Sequence, residues 1–464
     1  MENNEEKFKK FRKEYPIFRF KNYEIEENDE EIILSYNFEI DGLAEFNPTT
    51  KILKKGLNFR NIKEDNNFRL IAFNIGLIEL ISYWKCTCSP QVIIECGNIN
   101  SNQIEWFKKL YFYGLGENFY VNGIQAKMQD FMQIECKIKE NSLKYKHINS
   151  NLEGVLIPIG GGKDSCVTME LLKDIDKKYC IMVNPKKVSV KCSEIAGFKE
   201  ENTIIIKRQI DKKIIELNKK GFLNGHTPFS SMLAFATYAV SYLLGIKYIA
   251  LSNESSANES NVLGQNINHQ YSKSYEFEND FKNYCAKYLD KNIEYFSFLR
   301  PLNELQIAGL FSKYEEYHKV FKSCNVGSKS EEWEWCQKCP KCLFVYIMLS
   351  SFLSESELIN IFGANLYEKE ELLETFLELA GKANVKPFEC VGTFEEVNYA
   401  ISKTICNLQK EEKELPYLLS YYKENYEIKE STEDLMKKYN EINNIPSELK
   451  KYIERGFKDV SKFN

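Results

Sequence analysis

Three consecutive segments constrain the fold more than any other part of the chain. They are Val155-Leu156-Ile157-Pro158-Ile159, then Gly160-Gly161-Gly162-Lys163-Asp164-Ser165, then Cys166-Val167-Thr168-Met169-Glu170-Leu171-Leu172. The apolar run reads as a buried strand, the glycines as a tight turn, and the last segment as a helix. A strand that feeds a helix through a glycine turn is half of a βαβ unit, and such units build parallel sheets covered by helices. The same arrangement makes an anion site, because N–H groups converge at the helix N-terminus and glycine admits a phosphate. Lys163 adds a mobile cation, and the Ser165 hydroxyl also suits a helix cap. Asp164 beside a phosphate implies Mg²⁺ between them. The loop is not the common phosphate loop, which needs Ser or Thr directly after its lysine; here Asp164 stands there.

The alternation continues downstream. Strands are expected at residues 155–159, 179–183, 203–206, 247–252 and 294–299, with helices between most of them, the clearest at 229–244. This predicts an α/β fold with a doubly wound parallel sheet, whose ligands sit at the carboxyl ends of the strands. Residues 1–150 read as an α+β segment, with an aromatic strand at 32–38 and a helix over 68–84. Residues 351–464 read as a charged helical region, for example over 411–438. A chain of 464 residues exceeds one ordinary core, so three regions are expected: 1–150, 151–350 and 351–464. No run approaches the roughly 20 apolar residues of a membrane span. The charged start, Met1 to Glu14, has no signal core, so a cytoplasmic location is expected and no membrane partner. There, 14 cysteines serve as thiols, ligands or catalytic groups and not as disulfides. A net charge of −5 argues against a nucleic-acid partner.

Four of those cysteines form a second constellation. Cys324 is followed after eleven residues by Cys336, Cys339 and Cys342, spaced C-x-x-C-x-x-C. Such turns bring sulfurs to one tetrahedral Zn²⁺, and four ligands close the shell, which makes the site structural. Lys338 and Lys341 can offset the thiolate charge, and His318 is an alternative ligand. Cys86 and Cys88 alone do not make a metal site.

The glycine loop resembles the PP-loop of the ATP pyrophosphatases, S-G-G-x-D-S, with Gly160 in place of the leading serine. With the cysteine cluster it is also similar to the cyano-deazaguanine synthases. Residues 76–85 (GLIELISYWK), 252–259 (SNESSANE) with 268–274 (NHQYSKS), 301–308 (PLNELQIA) and 386–393 (KPFECVGT) resemble a further branch. That branch is the family of ATP-dependent UDP-N-acetylmuramoyl-L-alanyl-L-glutamate epimerases of peptidoglycan precursor synthesis. The likeness spans about residues 70–400.

The resemblance implies inversion of the terminal L-Glu of UDP-MurNAc-L-Ala-L-Glu. Adenylating the carboxylate would make the α-proton removable, and hydrolysis would then release AMP beside pyrophosphate. Gly160, Gly161, Gly162 and Ser165 would cradle ATP phosphates, Lys163 would neutralise them, Asp164 would orient Mg²⁺, and Asn184 would line the adenosine pocket. Residues 1–150 would form the substrate side. Acid–base candidates are His226, His269, Glu254, Glu259 and Cys390. Lys85, Lys273 and Arg300 are candidate anchors for the anionic substrate, and Tyr271, Tyr275 and Phe277 candidate stacking groups. A nucleobase- or tRNA-modifying ATP pyrophosphatase is the alternative enzyme, and a zinc-stabilised nucleotide sensor the non-enzymatic one.

Overall fold

A computed structural model describes residues 3–139, 144–147, 151–258, 268, 271–327, 334–383, 386–427 and 434–462. Its strands are β1 (Ile17–Glu27), β2 (Glu31–Ile40), β3 (Ala44–Phe46), β4 (Thr49–Leu53), β5 (Gln91–Ile94) and β6 (Gln133–Cys136). They continue with β7 (Val155–Pro158), β8 (Lys178–Val183), β9 (Thr203–Gln209), β10 (Tyr248–Leu251) and β11 (Glu294–Ser297). All join one sheet in the order β11-β10-β7-β8-β9-β4-β2-β1-β5-β6, with β3 paired to β2.

The five strands expected from alternation are β7 to β11, and their mutual pairings are all parallel. Successive side chains on them go to opposite cores: Leu156, Ile181, Ile204 and Ile249 on one face, Val155, Cys180, Met182 and Ala250 on the other. Burial on both faces explains why these strands read as unbroken apolar runs. Helix Phe229–Leu244 follows the expected bounds and packs with helix Asn66–Glu79 on the first face. Helices Lys163–Leu171, Glu304–Phe311, Pro340–Ser350 and Ser447–Val460 cover the second.

From β7 the chain steps outward through β8 to β9, then returns to place β10 on the other side of β7. The β7/β10 boundary is therefore the switch point, where a crevice opens at the carboxyl ends of the strands. The glycine loop follows β7 at that point.

Three sequence expectations differ. The helix over 68–84 is two, Asn66–Glu79 and Ile81–Trp84. Residues 411–438 are not one helix: helix Phe394–Lys410 stops at Glu411, and Tyr417–Asn425 starts after Pro416. A proline is tolerated at a helix start and not inside one, which breaks this charged run. Finally, β9 pairs antiparallel with β4, Ile205 to Gln209 against Leu53 to Thr49. The N-terminal strands thus extend the same sheet and make it mixed, mostly parallel. Among the described residues no helix is long and apolar enough to cross a membrane.

Candidate active site

The glycine loop is shaped by contacts that only glycine permits. Gly161 has φ +91°, and a Cβ there would lie 2.7 Å from Val188 Cγ1. A Cβ on Gly162 would meet Ser323 Oγ at 2.9 Å, while Gly160 faces open space. The Gly161 carbonyl accepts from Lys322 N–H at 3.0 Å, tying the loop to the segment that leads into Cys324. Ser165 Oγ donates to the Gly162 carbonyl at 2.9 Å and so does not cap the helix. The first-turn N–H groups have no partner within the helix and present donors at its N-terminus.

Lys163 is not the mobile cation expected. It is fully buried, and its ammonium donates to Asp164 Oδ1 and to Glu304 Oε2. Burial works against its charge, but the two carboxylates more than offset this and raise its pKa. Glu304 begins helix Glu304–Phe311, whose cap Asn303 accepts from Gln306 N–H. Its own N–H donates to Glu396 Oε1 at 2.8 Å. Burial pushes the Glu304 carboxyl up to about 8 against the pull of Lys163, with Asp164 and Glu254 adding to the rise. Asp164, by contrast, is held below the ordinary carboxylate range: burial opposes this, and Lys163, Lys341 and Lys273 prevail. A charged cluster this deep holds together because each charge has an opposite partner.

A cavity of about 280 Å³ opens over this cluster, lined by Gly160, Gly162, Asp164, Ser165, Val183, Phe229, Ser252, Asn253 and Lys273. It occupies the switch-point crevice. Ser252 accepts from Thr168 Oγ1 at 2.8 Å, and Asn253 donates to Ser297 Oγ at 3.0 Å, which fixes the β10 side of the wall. A larger cavity of about 630 Å³ lies beyond residues 271–274, lined by Phe112, Tyr113, Tyr120, Tyr271, Ser274 and Glu276 among others. Size alone would favour the larger, but the buried charges and the helix N-terminus face the smaller one. Residues 271–274 separate the two, with Lys273 on one side and Tyr271 and Ser274 on the other.

Other sequence candidates divide clearly. Glu254 is buried, accepts from Ser256 Oγ at 3.3 Å, and contributes to the field on both Glu304 and Lys273. Cys390 Sγ accepts from Lys273 Nζ at 2.9 Å. His226 lies three residues before the wall residue Phe229, with Nδ1 3.4 Å from Glu117 Oε2. His269 and Glu259 lie outside the described residues. Asn184 spends its amide on Arg208, donating to its carbonyl at 2.8 Å and accepting from its N–H at 2.9 Å; Val183 lines the cavity there.

Arg300 is no surface anchor. It is fully buried and donates to the Glu254 carbonyl at 2.7 Å and the Lys273 carbonyl at 2.5 Å, bracing two wall segments. Lys85 is buried against the Gly225 carbonyl, and desolvation brings its pKa down to about 8. Tyr271 lines the larger cavity, whereas Phe277 is core.

The four cysteines meet. Cys324, Cys336, Cys339 and Cys342 place their sulfurs within 4.8 Å of one another, with neighbouring pairs at 3.5 to 3.9 Å. Tetrahedral zinc with bonds of about 2.3 Å sets sulfurs about 3.8 Å apart, so the cluster fits that ion. Gly327 and Cys336 N–H groups donate to Cys324 Sγ, as thiolate ligands require. His318 instead faces the Phe311 carbonyl at 3.3 Å and is not in the group. Lys341, between two of the ligands, points at the other site: it donates to the Cys390 carbonyl.

Glu304 and Lys341 escaped the sequence reading of the site. Glu304 stood inside a family-like string, and its Asn303–Gln306 capping pair marked a helix start, but no local pattern links it to Lys163, 141 residues away.

Models of the MurL N-terminal domain and the MurL C-terminal domain match residues 9–298 and 320–435. Three curated relatives are each named UDP-N-acetyl-alpha-D-muramoyl-L-alanyl-L-glutamate epimerase. That of Xanthomonas oryzae pv. oryzae is 31% identical over 337 residues, 71% of this chain and 73% of the relative. That of Micromonospora sp. is 32% identical over 327 residues, 69% and 72% of the two chains. That of Salinispora tropica is 32% identical over 333 residues, 71% of each.

Proposed function

Because the chain belongs to the MurL family, we propose that it epimerises the terminal L-Glu of UDP-MurNAc-L-Ala-L-Glu to D-Glu, at the expense of ATP. The observation that carries the ATP requirement is the glycine loop at the switch point, opening with Asp164 and Ser165 on the 280 Å³ cavity. This is the reading of the loop as the PP-loop of an ATP pyrophosphatase.

In this reading residues 1–150 supply the substrate side, 151–350 handle ATP, and 351–464 form a helical region behind them. Gly160, Gly161, Gly162 and Ser165 receive the phosphates, and Lys163 stands behind the loop, where its ammonium holds Asp164 in place. Mg²⁺, oriented by Asp164, would shield the remaining phosphate charge. Cys324, Cys336, Cys339 and Cys342 would hold zinc, whose closed shell leaves it structural. Asn184, next to the wall residue Val183, is the candidate for the adenosine side. ATP as co-substrate places the reaction in the cytoplasm.

The chemistry explains the nucleotide. A proton α to a free carboxylate is hard to remove, because the electron pair left behind adds charge beside a charge. Attack of the carboxylate on the α-phosphorus forms a mixed anhydride with AMP and expels pyrophosphate. The anhydride carbonyl can then take the α-carbon's electron pair as an enolate. Return of a proton to the opposite face inverts the centre, and water releases AMP. The acid–base candidates are His226, His269, Glu254 and Cys390.

Incubation with ATP, Mg²⁺ and UDP-MurNAc-L-Ala-L-Glu in D₂O tests the reading. Substrate-dependent AMP and pyrophosphate with α-deuterated D-Glu is the expected result. ADP as the sole nucleotide product, or AMP with unchanged L-Glu, overturns it.

A further inference from the structure

Residues 386–393 bridge the two cavities. Phe388 packs on Tyr120 of the larger one, ring centroids 5.4 Å apart. Two residues on, Cys390 Sγ accepts from Lys273, which lines the smaller one. The Cys390 backbone is fixed as well, since the buried Lys341 donates to its carbonyl and Val391 N–H to the Glu389 carbonyl at 2.9 Å. Four sulfurs outside the cysteine cluster behave differently. Cys88, Cys136 and Cys192 donate to carbonyls and Cys180 to a hydroxyl, the pattern of neutral packed thiols.

A substrate whose nucleotide-sugar end fills the larger cavity must reach its glutamate past residues 271–274 to meet ATP. The carboxylate to be activated then comes to the cation on that wall, Lys273. A carbon α to it lies beside the sulfur that shares this ammonium. We propose that Cys390 is the base that removes the α-proton of the activated glutamate, and that Lys273 holds thiolate and substrate together for the transfer. This rests on the epimerase reading above. The Cys390 thiolate takes the proton and becomes a thiol. The C–H electron pair moves into the Cα–C bond, and the enolate oxygen so formed faces the Lys273 ammonium. A solvent-derived proton reaches the other face, and Cys390 returns its own to solvent.

The charged groups around the pair are mixed. Asp164 and Glu254 face Lys273 from the glycine-loop helix and the β10 side, Lys341 faces Cys390 from helix Pro340–Ser350, and Glu389 is turned to Asn325 at 3.0 Å. The Lys273 ammonium is in contact with the Cys390 sulfur, and Lys341 holds the backbone of the same residue; a cation touching a sulfur favours the thiolate over the thiol.

The test separates adenylation from proton transfer. In C390S, substrate-dependent ATP–pyrophosphate exchange should persist within about tenfold, while α-deuteration in D₂O falls by about 10²–10⁴. α-Deuteration within tenfold of wild type overturns the proposal. So does loss of both reactions together, which would make Cys390 a wall of the nucleotide site. Should C390S fail to fold, wild-type protein alkylated at Cys390 gives the same two readings. The part played by Lys273 is read from the pH dependence of iodoacetamide alkylation at Cys390, followed by peptide mass. K273M should move its midpoint up by about one unit or more, and K273R by less; an unmoved midpoint overturns that part. A wild-type protein that makes no AMP defeats the epimerase reading itself, independently of Cys390.

Discussion

Lys163 is buried between two carboxylates, and that pairing decides what its loss does. In K163M the Asp164 carboxylate loses its nearest ammonium and Glu304 stays buried only as the neutral acid; removing one partner of a buried pair costs about 3–5 kcal/mol. Urea unfolding at pH 8 should show that loss, and K163M/E304Q should recover part of it because glutamine needs no bound proton to stay buried. Both variants should lose ATP binding. Glu304 also gives the fold a pH dependence. Its folded pKa, near 8, lies above the ordinary carboxylate value of 4.5. Its contribution to stability is therefore whole below about pH 4.5 and is lost as pH rises toward 8. Between pH 6 and 8 the wild-type Tm should fall relative to that of E304Q, a comparison that cancels the histidines both proteins share. Equal slopes would mean that Glu304 stays ionised throughout.

At the scale of the element, the strand–loop–helix unit assigns different work to its glycines. Gly161 combines φ +91° with a Cβ position 2.7 Å from Val188 Cγ1 and 3.0 Å from Ser189 N. G161A should cost roughly 2–4 kcal/mol, from left-handed strain and overpacking together. Gly160 has neither constraint, with nothing within 4 Å of its Cβ position. G160S, which writes the leading serine of the S-G-G-x-D-S pattern into this chain, should leave stability within about 0.5 kcal/mol. Calorimetry of the two variants, with ATP titrated into each, separates fold from site. A destabilised G160S would show that the loop is tighter than its geometry indicates.

At the scale of the molecule, the cysteine cluster and the candidate active site are one assembly. Lys322 holds Gly161, Ser323 abuts Gly162, and Lys341 reaches Cys390, all from within or beside the C-x11-C-x2-C-x2-C segment. About one zinc per chain is expected by elemental mass spectrometry. Its removal by a chelator should lower Tm by about 2 °C or more, equivalent to about 2 kcal/mol for a chain of this length. It should also weaken ATP binding at temperatures where the sheet is still folded. Metal loss that leaves ATP affinity unchanged would uncouple the two.

Sequence alone determined what depends on neighbours in the chain. Five parallel strands, the loop after β7, the helix Phe229–Leu244 and the four-cysteine spacing were all legible, because strand and helix periods and C-x-x-C turns are local. The long family-like strings offered Lys273 as an anchor and Cys390 as an acid–base candidate, but gave Glu304 no role. Only tertiary structure brought Glu304 to Lys163, turned Arg300 inward, engaged Asn184 with Arg208 and set Cys390 beside Lys273. It also joined β4 to β9, so that the N-terminal strands share the sheet that carries the loop. Each of these is a contact between distant parts of the chain. Charge pairing, burial and the hydrogen bonds of a sheet edge decide such contacts, and no local pattern encodes them.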